Sequence, residues 1–218
     1  MNNWTNDVII TTRREAGIPD ADILELINRS YKIWAEHELD GPFLHYTVED
    51  FRQATRHANV FVAIDRATGK LLGTHTLQPR RKQGCVHGSL LAVAPEARGR
   101  GIASRMLEAE AQRVRKAGFK YMRGVTAVNA VWSVNWHLKN GYRIIGYRRD
   151  PKENHYTYVF RKQLLPPSVR RPVYSLYSLT PFCRLRYLTS YIATRLFKDG
   201  RGNMNWLGRL AKRIDKRK

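Results

Sequence analysis

The sequence predicts an α/β fold in residues 1–165, followed by a basic helical extension in residues 166–218. Strand-like and helix-like segments alternate in the order β-α-α-β-β-β-α-β-α-β-β over residues 8–163, as in sheets that are covered by helices. Hydrophobic residues make up 43% of the chain, which is enough for a buried core. The extension holds 13 of the 39 Lys and Arg residues but two of the 18 Asp and Glu residues, so its composition differs from that of the domain.

The first half of the chain predicts one strand, two helices and a β-hairpin. The β-branched run in residues 8–14 predicts the first strand. Apolar side chains at helical spacing predict a helix over about residues 20–36, and a capping-box pattern predicts a shorter helix over about residues 47–57. The apolar runs of residues 59–65 and 70–78 are joined by a turn with a glycine, and they predict the hairpin.

The second half of the chain alternates strands with helices. The predicted elements are a strand over about residues 85–94, a helix over 101–117, a strand over 121–127, a helix over 132–139, and strands over 142–148 and 155–162. The sequence shows neither a signal-peptide pattern nor an apolar run of the ~18 residues that a membrane-spanning helix needs. We therefore expect a cytoplasmic protein.

Residues 90–107 are the stretch around which the other elements are organised. They predict a buried strand, a glycine-spaced loop and the first turns of a helix. Gly99 and Gly101 lack a Cβ atom, so they can adopt positive φ and let an anion approach the backbone. The free amides at the start of the helix point at that anion, and Arg98 and Arg100 add positive charge. The loop therefore predicts a phosphate-binding site.

The run R-G-R-G-I-A over residues 98–103 resembles the acyl-CoA signature R/Q-x-x-G-x-G/A of the GNAT superfamily of N-acetyltransferases. Arg98, Gly101 and Ala103 fill its three defined positions. The run matches neither the Rossmann fingerprint nor a P-loop, which needs a Gly-Lys-Ser/Thr ending. With the order of the elements, the resemblance covers about residues 8–163. It implies a twisted mixed sheet of about seven strands with helices on both faces.

The resemblance also implies that acetyl-CoA or another acyl-CoA is the co-substrate. Its pantetheine arm is expected to pair with the fourth strand, and the amide near Val93 is expected to stabilise the oxyanion. The CoA-binding residues expected on this basis are Leu91, Val93, Arg98, Gly99, Arg100, Gly101, Ile102, Ala103, Ser104 and Asn135. Cys85 and Cys183 show no metal-site spacing, and no metal is predicted.

Transfer from a thioester to an amine needs a base for the amine and an acid for the departing thiolate. Some family members carry a glutamate base on the fourth strand. Here His87 lies on that strand, and a period of two places it on the same face as Val93. His75 is a second candidate base, and a purely structural role for His87 is the alternative. His137 occupies the position of the tyrosine that protonates the thiolate in the family, although the histidine side chain is shorter.

The join between the first two helices helps to wall the acceptor pocket in the family. On this resemblance, the pocket residues are Phe43, His45, Tyr46 and His75. The alternative is that Phe43 and Tyr46 only fill the core.

The net charge of +21 predicts an anionic partner. Residues 173–218 contain two basic amphipathic segments with aromatic side chains, which fit peripheral binding to an anionic membrane surface. Packing onto the domain or a contact in a homodimer fits the segments equally well. Nucleic acid is a less favoured partner.

These features together predict an N-acyltransferase. It transfers an acyl group, most simply acetyl, from acyl-CoA to a primary amine by direct transfer in a ternary complex. The basic chain favours a neutral or acidic acceptor, small or carrier-linked, over a polycationic one. The alternative function is a non-catalytic CoA-sensing protein that docks on an anionic membrane or nucleic acid through its basic extension.

Overall fold

A computed structural model describes residues 7–37, 39–149 and 155–164. The predicted linker and basic helices of the extension lie outside these residues, and so do their expected contacts with a membrane, a second copy or nucleic acid. Within the described ranges, no helix is long and apolar enough to cross a membrane.

Seven strands of the described residues form one mixed sheet in the order β1-β2-β3-β4-β5-β7-β6. The strands are β1 (Val8–Thr12), β2 (Asn59–Asp65), β3 (Leu71–Arg80), β4 (Cys85–Val93), β5 (Tyr121–Ala127), β6 (Arg143–Arg149) and β7 (Tyr156–Gln163). The helices are α1 (Arg13–Ala16), α2 (Asp20–Glu36), α3 (Val48–Thr55), α4 (Ile102–Lys116) and α5 (Val131–Lys139). Among these seven described strands, β4 and β5 pair in parallel and all other neighbours pair antiparallel. The predicted fold class is confirmed.

The first strand is shorter than the sequence predicts, because a helix begins inside the predicted range. The Thr12 hydroxyl accepts a hydrogen bond from the Glu15 amide, and the Glu15 carboxylate accepts one from the Thr12 amide. This capping box starts the one-turn helix α1, which the β-branched pattern does not reveal. Strand β1 therefore ends at Thr12.

Helices cover both faces of the sheet, and we call these the α2 face and the α4 face. The α2 face carries α2 and α3, whose core is formed by Ile23, Leu24, Ile27, Phe51, Val60, Val62 and Ala92. The α4 face carries α4 and α5, whose core includes Ile102, Met106, Leu107, Val114, Val134, Met122 and Phe160. This burial of apolar area is the main stabilising term for the domain.

Strands β4 and β5 are paired only near their starts. The last pair joins His87 to Arg123, and beyond it the two strands separate. Residues 88–93 of β4 and 124–127 of β5 form the walls of the gap, which we call the β4–β5 cleft. The cleft gives access through the sheet from one face to the other.

Strand β4 contains a bulge that changes which side chains share a face. Leu90 and Leu91 both lie opposite His75 of β3, and Leu90 adopts a φ of 53°. The extra residue inverts the alternation of side chains beyond it. His87, before the bulge, and Val93, after it, therefore point to opposite faces.

The pairing with β3 identifies these faces. Val93 pairs with Gly73, where an added Cβ atom would lie 3.1 Å from the sulfur of Met106 in α4. Val93 therefore faces α4. His87 pairs with Gln78, five residues along β3 from Gly73, so His87 lies on the α2 face. The prediction that His87 shares a face with Val93 is wrong.

Candidate active site

The glycine loop before α4 leaves its backbone amides open to an anion. Gly99 and Gly101 have φ values of 78° and 73°, and an added Cβ atom at either would meet no atom within 4 Å. Helix α4 begins at Ile102 with no side-chain cap and no acidic residue in its first turn. Its first amides have no partner within the helix. Arg98 is held beside the loop, because its guanidinium donates to the Ser30 carbonyl at 2.6 Å.

A cavity of about 900 Å3 extends from this loop along the β4–β5 cleft. Its lining includes twelve of the predicted site residues: Phe43, Tyr46, His75, Leu91, Val93, Arg98, Gly99, Gly101, Ile102, Ala103, Ser104 and His137. The loop, the cleft and the segment between α2 and α3 thus share one continuous space. Four predicted residues, His45, His87, Arg100 and Asn135, are outside the lining.

Two of these four are placed elsewhere by identifiable contacts or strand geometry. His45 is exposed and lies 3.0 Å from the Asp40 carboxylate, away from the cavity. His87 lies on the α2 face, where burial and then Arg123 and Arg80 lower its pKa to about 4. It is therefore neutral and weakly basic near pH 7. Neither position fits the role that the sequence predicts.

The cleft edge of β4 presents an amide suited to an oxyanion. The Ala94 amide donates to the Leu72 carbonyl at 2.9 Å, so these two residues form the hydrogen-bonded pair with β3. In an antiparallel ladder the preceding amide, that of Val93, points the other way, towards the cleft. The Val93 carbonyl accepts from the Ser30 hydroxyl at 3.0 Å, which ties this edge to α2.

A buried histidine–carboxylate pair lies on the α4 face of the cleft. His75 Nδ1 lies 2.7 Å from Glu110 Oε2, and the two residues are 5% and 0% exposed. The imidazole fits because β4 has a glycine beside it: a Cβ atom on Gly88 would lie 2.7 Å from His75 Nε2. Glu110 is a residue that the sequence analysis missed. Its signal is its place in the apolar stripe of α4, four residues from Met106 and from Val114.

His137 lies on the other wall of the cleft and has a different environment. Its Nδ1 donates to the Ser133 carbonyl at 2.8 Å, and an added Cβ atom on Gly124 would lie 3.1 Å from Nε2. The ring stacks on Phe160 at a centroid distance of 4.4 Å. Burial lowers the pKa of His137 to about 4. Near pH 7, Nε2 therefore carries no proton, which disagrees with the predicted role of His137 as an acid.

Aromatic rings form the wall of the cavity on the α2 face. The rings of Tyr31, Trp34 and Phe43 lie 4.9–5.5 Å apart between centroids. Trp34 also contacts His155 at 5.7 Å. The Tyr31 hydroxyl donates to the Leu91 carbonyl at 3.0 Å, and burial raises the pKa of Tyr31. In the sequence, Tyr31 and Trp34 belong to a helical stripe, and this pattern does not predict their place in the cavity.

The charged groups of the cavity are positive. Arg98, Arg123 and Lys139 line it, and no Asp or Glu of the described residues does so. The described residues also contain no group of three or more His, Cys, Asp or Glu side chains that could hold a metal ion.

The described residues thus combine a mixed seven-stranded sheet, a glycine loop before a central helix and a cleft between two parallel strands. A model of the acetyltransferase (GNAT) family matches residues 21–142, more than half of the chain. The chain therefore belongs to the GNAT family and is a transferase. No curated protein matches the chain by sequence.

Solved structures of this family share the fold. A GCN5-related N-acetyltransferase from Kribbella flavida is 17% identical, with 72% of this chain and 98% of that chain covered and a TM-score of 0.56. The ribosomal-protein-S18-alanine N-acetyltransferase from Escherichia coli is 13% identical, with 75% and 99% covered and a TM-score of 0.57. A chimera of the spermidine N-acetyltransferase from Vibrio cholerae is 14% identical, with 73% and 96% covered and a TM-score of 0.56. At these identities the likeness concerns the fold alone.

Proposed function

We propose that the protein is an acyl-CoA-dependent N-acyltransferase that acylates a primary amine, with acetyl-CoA as the simplest donor. The observation that carries this proposal is the continuous cavity between the glycine loop and the β4–β5 cleft. The cavity has an anion site at one end and the unpaired backbone amide of Val93 at the other. Acyl-CoA carries phosphates at one end and a thioester at the other, so it matches both sites.

The donor occupies the side of the cleft next to α4. The free amides of the first turn of α4 and the guanidinium of Arg98 bind its phosphates. Its pantetheine arm runs along the edge of β4 that β5 leaves unpaired. The acyl oxygen accepts a hydrogen bond from the Val93 amide, which becomes stronger as negative charge develops on that oxygen.

The acceptor enters from the α2 face, between the aromatic wall and β5. Its amine attacks the acyl carbon, the new C–N bond forms and the C–S bond breaks. The proton that the amine nitrogen loses passes to solvent, and the departing thiolate takes up one proton, so the numbers of protons balance. No carboxylate of the described residues lines the cavity to pair with a second cation of the acceptor, which supports a neutral or acidic acceptor.

The pair of His75 and Glu110 is the group best placed to handle the thiolate's proton. Glu110 accepts from Nδ1 and thereby directs Nε2 towards Gly88 and the cleft. Nε2 is thus the ring nitrogen on the cleft side, where it can exchange a proton with the thiolate. His137 has no carboxylate partner among the described residues, and burial keeps its pKa at about 4. We therefore assign the acid role to His75 in place of His137, and no proton transfer to His87.

Acetylation of simple amines tests the proposal. The full chain is incubated with acetyl-CoA and each of a panel of neutral and acidic primary amines, and the N-acetylated product and free CoA are measured by mass spectrometry. We expect equal amounts of product and CoA for at least one amine. Tight acetyl-CoA binding with no product for any amine would favour the CoA-sensing alternative. Absence of acyl-CoA binding would overturn both functions.

A further inference from the structure

The register of the sheet aligns positive side chains across its α2 face. One row of paired residues runs through five neighbouring strands: Gln78, His87, Arg123, Arg161 and Arg143. Paired residues of neighbouring strands point to the same side, so these side chains share the face on which His87 lies. We call this set the cationic row. It contains three arginines and no carboxylate.

Arg123 is the only member of the cationic row that lines the cavity. It lies where β4 and β5 make their last pair, at the closed end of the cleft. Arg161 is engaged differently, because its guanidinium stacks over the Tyr121 ring at 4.1 Å. Arg123 is thus the arginine of this row that a molecule inside the cavity can reach.

The guanidinium of Arg123 lacks a counter-ion in the described part of the chain. Its Nε is buried and has no hydrogen-bond partner there, and no described carboxylate forms an ion pair with it. A buried donor without a partner is uncommon in folded proteins. The neighbourhood is also strongly positive, since Arg123, Arg80 and Arg148 all act on His87 in the same direction.

We propose that Arg123 binds an oxyanion of the acceptor, so the amine substrate carries a carboxylate or phosphate group. This inference rests on the proposed function, because it places the acceptor in the same cavity. A guanidinium matches the planar, paired oxygens of either group and binds them through charge-assisted hydrogen bonds.

The geometry of the strands also sets the distance between amine and acid. Val93 lies six residues beyond His87 on β4, and His87 pairs with Arg123. At ~3.3 Å per residue with one bulge, and with the length of an arginine side chain subtracted, the distance between the Arg123 guanidinium and the Val93 amide is on the order of 10 Å. The amine and the acid of the acceptor are therefore separated by several bonds. Val125 and Ala127 follow Arg123 on the same face of β5, and they give the connecting part of the acceptor an apolar surface.

The test compares matched amines in the full-length enzyme with acetyl-CoA. The probes are 6-aminohexanoate, 6-aminohexyl phosphate and hexylamine, with glycine as an amine whose acid is too close. We expect kcat/KM to be at least about tenfold higher for one of the two long acids than for hexylamine, and glycine to be a poor substrate. The acid with the higher value identifies the oxyanion as carboxylate or phosphate.

Two variants separate a binding site from a general electric field. Arg123→Gln is expected to reduce the ratio of kcat/KM for the acid to that for hexylamine by about tenfold or more. Arg143→Gln removes the same charge from the same row but outside the cavity, so it keeps the ratio. An equal reduction in both variants, or a wild-type preference for hexylamine, would overturn the proposal.

A binding measurement keeps this inference distinct from the proposed function. Calorimetry of 6-aminohexanoate and of 6-aminohexyl phosphate with the complex of protein and CoA does not require turnover. Binding of one acid that Arg123→Gln abolishes supports the site even if no amine is acetylated. Failure of both acids to bind, with CoA in place, overturns it.

Discussion

Replacement of Glu110 by glutamine tests the proposed proton path with the least change in shape. The carboxylate lies 2.7 Å from His75 Nδ1 and is fully buried, so its charge acts on the imidazole with little screening. Hydrogen bonds to charged groups contribute about 1.5–3 kcal/mol. At 1.4 kcal/mol per tenfold change in rate, Glu110→Gln should lower kcat by about 10- to 100-fold.

The assay is steady-state release of CoA from acetyl-CoA with the best amine found. The dissociation constant of acetyl-CoA, measured by calorimetry, should stay within a few-fold of wild type, because Glu110 does not reach the phosphate loop. Glu108→Gln is the matched control, since Glu108 is exposed on the same helix. The double variant with His75→Gln should be little slower than either single variant if the two residues act as a unit. A kcat of Glu110→Gln within about twofold of wild type would refute the reasoning.

Two further predictions concern the histidines of the cleft. Gly88→Ala should lower kcat by about tenfold or more, because the added Cβ atom would lie 2.7 Å from His75 Nε2 and displace the ring. Gly146→Ala is the control, because its added Cβ atom would lie 3.7 Å from the nearest atom, and it should not lower kcat. Equal rates in the two variants would contradict the placement of His75. His137 has a pKa of about 4 in the folded chain, below the 6.5 of a free histidine, so the unfolded chain binds the proton more tightly. Because of His137, the free energy of unfolding should therefore fall by about 1–2 kcal/mol as the pH is lowered from 7 to 5. Denaturant titrations of His137→Phe should show a smaller fall. The same pH dependence in both proteins would argue against a buried neutral His137.

The parts of the site that the sequence predicts are those governed by local backbone chemistry. Gly99 and Gly101 adopt the positive φ that their spacing suggests, and α4 begins directly after them. The order of strands and helices follows from patterns that extend over many residues, so it was also predictable.

The parts that the sequence does not predict depend on contacts between distant segments. The bulge at Leu90 inverts the alternation of side chains between the two faces of β4, and no residue type in that strand predicts the bulge. His87 was therefore placed on the wrong side. Glu110 and Arg123 gain their significance from His75 and from the cationic row, which only the folded sheet brings next to them.

Calorimetric titration of acetyl-CoA into wild type and Gly101→Val tests the central claim most directly. Gly101 has a φ of 73° in front of the first amides of α4, a conformation that a β-branched residue adopts only with strain. The account predicts that wild type binds acetyl-CoA and that Gly101→Val binds it at least about tenfold more weakly while remaining folded by circular dichroism. Equal affinity in the two proteins, or no binding of any acyl-CoA by wild type, would contradict it.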